Sequence, residues 1–278
     1  MKTTCPGELK KLYRQGRVLP FIGAGASISV NWRSDNGEKN GPSWSKVIDE
    51  ACRQLGYDDP DLLRYRGTDL QILEYFGTKI GNFAPLTNWL VRRLDAPDEA
   101  IKRSTIHCAL ARMMKCSKFY TTNYDDFIER AIRLSGRTVQ VVSGERDMGG
   151  SGNEVEVVKF HGDFNSPNQM VFSEGHYYQR MRLEDPLDLK LRSDLLGRAA
   201  VFIGYSFRDL NIGYLFDFLN AMLKTLPNNP SGRRAYIIVH NPSDFEYTLF
   251  RRRNMDVIPT FGDDRTLGIV EAIDDLIS

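Results

Sequence analysis

The 278 residues carry 41% hydrophobic and 26% charged side chains, ordinary proportions for a folded globular protein, which exclude a disordered or collagen-like chain. A formal net charge of +1 excludes a chain-wide attraction to nucleic acid or anionic membranes, so any partner must be recognised locally. The length suits one large α/β domain with an insertion.

No run of eighteen or so apolar residues occurs, and Met1-Lys2-Thr3-Thr4-Cys5-Pro6 lacks a signal-peptide core, so a cytoplasmic chain without membrane association is expected. Cys5, Cys52, Cys108 and Cys116 fit neither a disulfide framework nor paired zinc knuckles, and reduced, mostly buried thiols are expected.

In chain order, a short amphipathic helix over roughly Glu8 to Gln15 leads into Val18-Leu19-Pro20-Phe21-Ile22, an apolar run ended by Gly23-Ala24-Gly25-Ala26-Ser27. This reads as strand, then glycine turn. Pro20 cannot donate a ladder hydrogen bond and so argues against a central position in a sheet. Residues Asn31 to Pro42 hold hardly an apolar side chain and read as a solvated loop. From Ser43, an N-cap before Trp44, helical spacing runs through Val47, Ile48, Ala51 and Leu55, then Leu70 to Ile80 and Leu86 to Leu94. These helices read as an inserted subdomain, approximately residues 33–103.

A helix containing Ile106, Ala109, Leu110 and Met113 precedes a strand Phe119-Tyr120-Thr121-Thr122, which stops at Asn123-Tyr124-Asp125-Asp126. A helix with Phe127, Ile128, Ala131 and Ile132 follows. Further strands are expected at Thr138 to Val142, Val155 to Phe160, Ala199 to Ile203, Ala235 to Val239 and Asp256 to Ile258, mostly separated by helical stretches. The alternation predicts an α/β fold: a Rossmann-like parallel sheet with helices on both faces, its core approximately residues 8–32 and 104–278 of a single domain spanning 1–278.

Ligands of open α/β sheets bind beyond the carboxyl ends of strands, so four strand ends matter most. Gly23 and Gly25 would let backbone approach a pyrophosphate, with Ser27 as a hydroxyl donor, or they form a structural glycine turn. The third glycine of a dinucleotide fingerprint and the Lys of a Walker loop are missing. Asn123 and Asp125 suit ribose hydroxyls and a water, or cap the following helix. His161, in Phe160-His161-Gly162-Asp163, is an imidazole whose reference pKa of about 6.5 allows it to accept a proton near neutral pH, or a structural histidine. Gly204 and Ser206, in Gly204-Tyr205-Ser206-Phe207-Arg208-Asp209, offer an adenosine-binding turn or a strand-to-helix cap.

Taken in this order, the Gly-Ala-Gly-x-Ser turn, the Thr-x-Asn-x-Asp segment, the His-Gly pair and the Gly-x-Ser loop resemble the sirtuin superfamily, across Phe21 to Asp209. The bacterial sirtuin-like, zinc-free NAD-hydrolase branch is most similar, on Thr121-Thr122-Asn123-Tyr124-Asp125-Asp126, Lys159-Phe160-His161-Gly162-Asp163 and the 204–209 segment. The resemblance implies that Gly23, Ala24, Gly25 and Ser27 bind NAD, that Asn123 and Asp125 hold the nicotinamide ribose or water, that His161 is the catalytic histidine, and that Gly204 and Ser206 flank adenosine. Deacetylases of the superfamily carry a four-cysteine zinc module after that histidine, whereas no cysteine follows Cys116 here, so no zinc and no deacetylation are expected.

The implied activity is NAD⁺ glycohydrolysis to nicotinamide and ADP-ribose, as a gated NAD-depleting effector of antiphage defence. The resemblance also implies a homo-oligomer and a separate partner such as a HerA-type ATPase. Readings from other classes are an NAD-binding sensor without turnover, an ADP-ribosyl cyclase, a protein deacylase, or a nucleic-acid-associated module reading phosphates with Arg233-Arg234 and Arg251-Arg252-Arg253. His107 reads as a core or interface histidine, and His176 and His240 lack metal-site spacing, so no metal is expected.

Overall fold

The computed structural model describes residues 4–34, 37–149, 152, 154–180, 182, 184–205 and 235–278. Its elements run α1 (Gly7–Arg14), β1 (Val18–Ile22), α2 (Ala24–Ile28), β2 (Asn31–Ser34), β3 (Gly37–Asn40), α3 (Trp44–Gln54), α4 (Asp61–Arg64), α5 (Asp69–Ile80), α6 (Ala84–Arg93), α7 (Asp98–Arg103) and α8 (Thr105–Ala111). They continue with β4 (Lys118–Thr121), α9 (Phe127–Leu134), β5 (Val139–Val142), β6 (Val155–Lys159), α10 (Glu174–Arg180), α11 (Pro186–Leu195), β7 (Ala199–Ile203), β8 (Ala235–His240), α12 (Asp244–Arg252), β9 (Met255–Thr260) and α13 (Arg265–Ile277).

Seven strands form one sheet in the order β5-β6-β4-β1-β7-β8-β9, every pair parallel. Side chains of a strand alternate between faces, and both faces are covered. Val18, Ile22, Phe119, Val157, Val201, Ile203 and Ile258 enter one apolar cluster with Leu9, Leu110, Ile128 and Ile273 of the helices. Leu19, Phe21, Tyr120, Val158, Phe202 and Ile237 enter the other, with Leu191 and Leu195 of α11 and Phe250 of α12. Two-sided burial explains why these strands are continuous apolar runs. Across the centre, Phe21 stacks on both Tyr120 and Phe202, with ring centroids 5.1 Å apart in each case.

β1 is central and fully buried, contrary to the expectation from Pro20. Its ladder with β7 runs from Val18 to Ile22, but that with β4 begins only at Phe21. The Gly23 amide donates to Ile203 of β7, so by alternation the Pro20 nitrogen faces β4, where no ladder bond has yet started. The solvated loop expected over Asn31 to Pro42 is likewise corrected: β2 and β3 pair antiparallel as a hairpin. Trp32, buried and edge-on to Phe127 at 6.3 Å, anchors it, so a single aromatic supplies the apolar contact that composition concealed.

The helices of residues 44–93 begin on the expected signals. Ser43 caps α3 by accepting from the Lys46 amide, and Thr68 with Gln71 forms a reciprocal capping box on α5. α5 ends at Gly81, whose φ of 87° is the left-handed stop. α3, α5 and α6 share an apolar cluster into which Met170 and Phe172, from the segment after β6, also insert. The helical block therefore packs against the chain that leaves His161. Cys5, Cys52 and Cys116 are buried and Cys108 is half-buried, all as free thiols. Among the described residues no helix is long and apolar enough to cross a membrane.

Candidate active site

The chain moves outward from β1 in both directions, to β4 on one side and β7 on the other, so the sheet's switch point lies at the carboxyl end of β1. There the turn after β1 and the turn after β7 interlock. A Cβ on Gly25 would stand 2.6 Å from the Gly204 carbonyl oxygen, and one on Gly23 would stand 2.8 Å from the Tyr205 ring. Gly204 has φ +77° and its own Cβ would lie 2.8 Å from the Ala26 nitrogen. The glycines expected to admit a pyrophosphate thus admit the neighbouring turn. Their amides face inward, Gly23 N–H to Ile203 O at 2.9 Å and Gly25 N–H to Gly204 O at 2.8 Å.

Ser27, in the single helical turn α2, reaches back beneath the β4 end. Asn123 donates from Nδ2 to Ser27 Oγ at 2.8 Å and to Gly23 O at 3.0 Å, and Ser27 Oγ donates to Asp125 Oδ2 at 2.6 Å. Both amide hydrogens of Asn123 are thereby committed, which leaves Oδ1 as its acceptor for a water or hydroxyl. Asp125 also accepts the Phe127 amide on Oδ1 at 3.1 Å, so from the position before the N-cap Asp126 it satisfies the first free amide of α9 while it anchors Ser27. Capping and site-building, alternatives in the sequence, coexist on Asp125, while Asn123 turns toward the glycine turn. Beneath them Lys159 of β6, fully buried, donates to the Asp125 carbonyl and to Glu129 Oε1.

His161 follows β6, and its carbonyl accepts the Val171 amide at 3.0 Å. Gly162 must be glycine, because at φ +77° a Cβ would lie 2.8 Å from the Gln169 carbonyl oxygen. Asp163 accepts from the Asn165 and Ser166 amides, a loop-holding role. The His161 ring is buried edge-on to Tyr177, with centroids 5.3 Å apart. Burial, and then the nearby Arg180 guanidinium, push its pKa down to about 3. Arg180 itself lies over the Phe160 ring at 4.2 Å and pairs with Asp185 at 2.9 Å and Asp188 at 2.8 Å. Burial raises the Asp188 carboxyl to about 6 against the pull of that pair.

The pieces meet in one cleft of ≈ 370 Å³. Ala24, Gly25, Ser27, Asn123, Asp125, His161 and Gly204 all line it, and Gly23 lies just behind, under Tyr205. Ser206 lies outside the described residues. The facing wall comes from the helical block, with Trp44, Asp69 and Leu90. Arg265, which also lines the cleft, was not foreseen, although it follows β9 and the strand-end rule reaches it. Tyr177, Trp44 and Arg180 had no comparable signal, since they arrive from helices. His107, as expected, is a core residue, fully buried with Nδ1 2.7 Å from Ser104 Oγ and a pKa pushed to about 4 by burial.

His161 is therefore neutral at neutral pH and available as a proton acceptor, although its low pKa makes it a weak one. If it is the essential base, kcat/KM is expected to stay flat from pH 8 to about 5. An exposed imidazole would by then have cost about thirtyfold in activity. An acid limb with its midpoint near 6.5 would remove His161 from that role. The depressed pKa values also stabilise the fold above pH about 6.5, and this contribution is lost as pH falls towards them, so the profile is taken over the range in which the protein stays folded.

A family model described as SIR2-like domain matches residues 117–258, just over half of the chain, including Asn123, Asp125, His161 and Gly204. The chain is 24% identical over 237 residues to a protein named NAD(+) hydrolase ThsA from Bacillus cereus (strain MSX-D12), covering 82% of this chain and 45% of that one. It is also 24% identical over 249 residues to Defense-associated sirtuin 2 from Bacillus subtilis, covering 87% and 22%. The chain thus spans about half, or less, of the length of these curated relatives. A solved Sir2 enzyme structure aligns over 98% of both chains at 13% identity, with a TM-score of 0.42.

Proposed function

Because the chain belongs to the SIR2-like domain family, we propose that its cleft binds NAD⁺ and hydrolyses the nicotinamide–ribose bond, giving nicotinamide and ADP-ribose. The observation that carries this reading is the hydrogen-bonded run Asn123–Ser27–Asp125, assembled from two distant stretches of chain and opening on the same cleft as neutral His161.

Nicotinamide departs as a neutral base from a cationic linkage, so no acid is needed to protonate it. The C1′–N bond breaks with its electron pair going to nicotinamide, and a water oxygen bonds to C1′. Asn123 Oδ1 holds that water or a ribose hydroxyl, Ser27 and Asp125 fix the amide's orientation, and His161 takes the proton released and passes it to solvent. Two relatives named above are a NAD(+) hydrolase and a defense-associated sirtuin, which supports NAD depletion in antiphage defence as the biological setting. A cytoplasmic homo-oligomer, restrained until a trigger or a separate ATPase partner acts, is part of the same proposal.

Incubating the purified protein with NAD⁺, alone and with candidate partners, and separating the products by chromatography tests the reaction. Equimolar nicotinamide and ADP-ribose are expected. Cyclic ADP-ribose in place of ADP-ribose would shift the reading to a cyclase, and tight NAD⁺ binding with no nicotinamide released would shift it to a sensor.

A further inference from the structure

A proton acceptor works only if its ring is held toward the substrate, and a histidine is ordinarily held by a hydrogen bond on its second nitrogen. The His161 ring forms no hydrogen bond with a described residue, so packing sets its orientation. Tyr177 of α10 meets it edge-on at 5.3 Å, and the Phe160 ring lies beside it at 6.0 Å and 32°.

One side chain holds both of these rings. Arg180 lies one turn beyond Tyr177 in α10, on the same face of the helix. Its guanidinium lies over the Phe160 ring at 4.2 Å. It borders not the catalytic cleft but a second cavity of ≈ 520 Å³, with Phe160, Asp185 and Leu187, so it reaches the chemistry only through its neighbours. The guanidinium is in turn gripped by α11, through the N-cap Asp185 at 2.9 Å and the fully buried Asp188 at 2.8 Å. α11 is fixed to the sheet by Leu187, Leu191 and Leu195, which share an apolar cluster with Phe160. A buried pair of this kind adds little net stability over an apolar replacement, so its contribution here lies in direction: a planar fork bound on two sides has one place to sit.

We propose that Arg180, clamped by Asp188, is a positioning residue that holds the His161 imidazole toward the cleft by fixing Tyr177 and Phe160 against it. The inference rests on the NAD reading above for the role of His161. The guanidinium also adds to burial in keeping the imidazole unprotonated, the form that accepts a proton.

Arg180→Met combined with Asp188→Leu removes the clamp without stranding the buried carboxylate, and Arg180→Lys keeps the charge but loses the planar stack. Both are measured per folded molecule, alone and in the His161→Ala background. In the paired variant kcat is expected to fall about 10–100-fold with KM for NAD⁺ within about threefold of wild type, and Arg180→Lys should retain more. In the His161→Ala background the same change should cost less than about twofold, because a residue that acts through His161 has nothing left to position. An equal loss in both backgrounds, or kcat within about twofold of wild type in the paired variant, would overturn the inference. A second readout needs no turnover: diethyl pyrocarbonate acylates a neutral imidazole that it can reach, and peptide mass spectrometry counts the product. His161 labelling should rise at least about fivefold in the paired variant while that of the core residue His107 stays unchanged. No rise at His161, or an equal rise at both, would overturn the inference as well. If the wild-type protein turns over no NAD⁺, the functional reading fails, and the labelling alone decides whether Arg180 holds the ring.

Discussion

Asn123→Ala and His161→Ala are each expected to lower NAD⁺ turnover by about 10²–10⁴-fold, the usual scale for losing a positioned acid–base or orienting group. The two changes should differ in what they do to the fold. Removing the Asn123 amide strips donors from the Gly23 carbonyl and Ser27 Oγ, both in the buried joint between the first and second strand ends. Gly23 O keeps the Ala26 amide and Ser27 Oγ keeps Asp125, so the loss is two hydrogen bonds at about 0.5–1.5 kcal/mol each, and this variant should also melt earlier. The His161 ring has no hydrogen bond to a described residue, and its loss should cost mainly contact with Tyr177. The double variant should be no slower than the slower single one, because groups that act on one step do not add. Turnover is measured per folded molecule, with circular dichroism to count them. Rates within threefold of wild type for both single variants would detach these residues from the chemistry.

Asn123→Asp separates orientation from acceptance. A carboxylate keeps the acceptor atoms but places negative charge where the amide now donates to Gly23 O and Ser27 Oγ. The joint must reorganise, and turnover should fall as far as in Asn123→Ala despite the near-identical shape.

Most of the fold could be read from the chain because parallel strands covered on both faces are mainly apolar, most plainly Val18–Ile22, Ala199–Ile203 and the start of Ala235–His240, and the runs stand out against polar helix faces. Strand ends drifted by a residue or two, as with Asp256 to Ile258 against the observed Met255–Thr260. Two misreadings share a cause, which is reliance on a local rule where a contact distant in sequence decides. Pro20 is harmless at the centre because its ladder toward β4 starts one residue later, a fact of register that no single strand contains. The 31–40 hairpin owes its order to Trp32 meeting Phe127, nearly a hundred residues away.

Within the site, the strand-end rule found the groups that leave the sheet directly and missed those that come from helices. Asn123, Asp125 and His161 sit just beyond β4 and β6, whereas Trp44 and Tyr177 reach the cleft from helices or helix starts. Hydrogen-bond partners were also beyond reach: nothing in Gly-Ala-Gly-Ala-Ser says that its serine will bond Asp125. The glycines were noticed for their freedom, yet what demands them is the backbone of another turn, 2.6 Å from where a Gly25 Cβ would be.

Lys159→Met should be the most destabilising of the substitutions considered. Lys159 and Glu129 are almost wholly buried, with side chains 1% and 4% exposed, and Nζ stands 3.1 Å from Oε1. Removing one partner strands a charge away from water, at a cost of about 3–5 kcal/mol. The loss should depend on pH in a defined direction. Burial already holds the Glu129 carboxyl above its ordinary range even with Lys159 beside it. Without the ammonium it rises further, so between the unfolded value of about 4.3 and the new folded one the native state binds the extra proton. Stability of the variant relative to wild type therefore falls as pH rises through that window, and urea denaturation should show a larger deficit at pH 8 than at pH 5.5. Adding Glu129→Leu should restore much of the stability by removing the stranded carboxylate. It should not restore turnover, because the Asp125 carbonyl still lacks the Nζ that pins the loop carrying Asn123. A single variant within 1 kcal/mol of wild type at pH 8, or a double variant with full turnover, would show that the buried ammonium does not hold this loop.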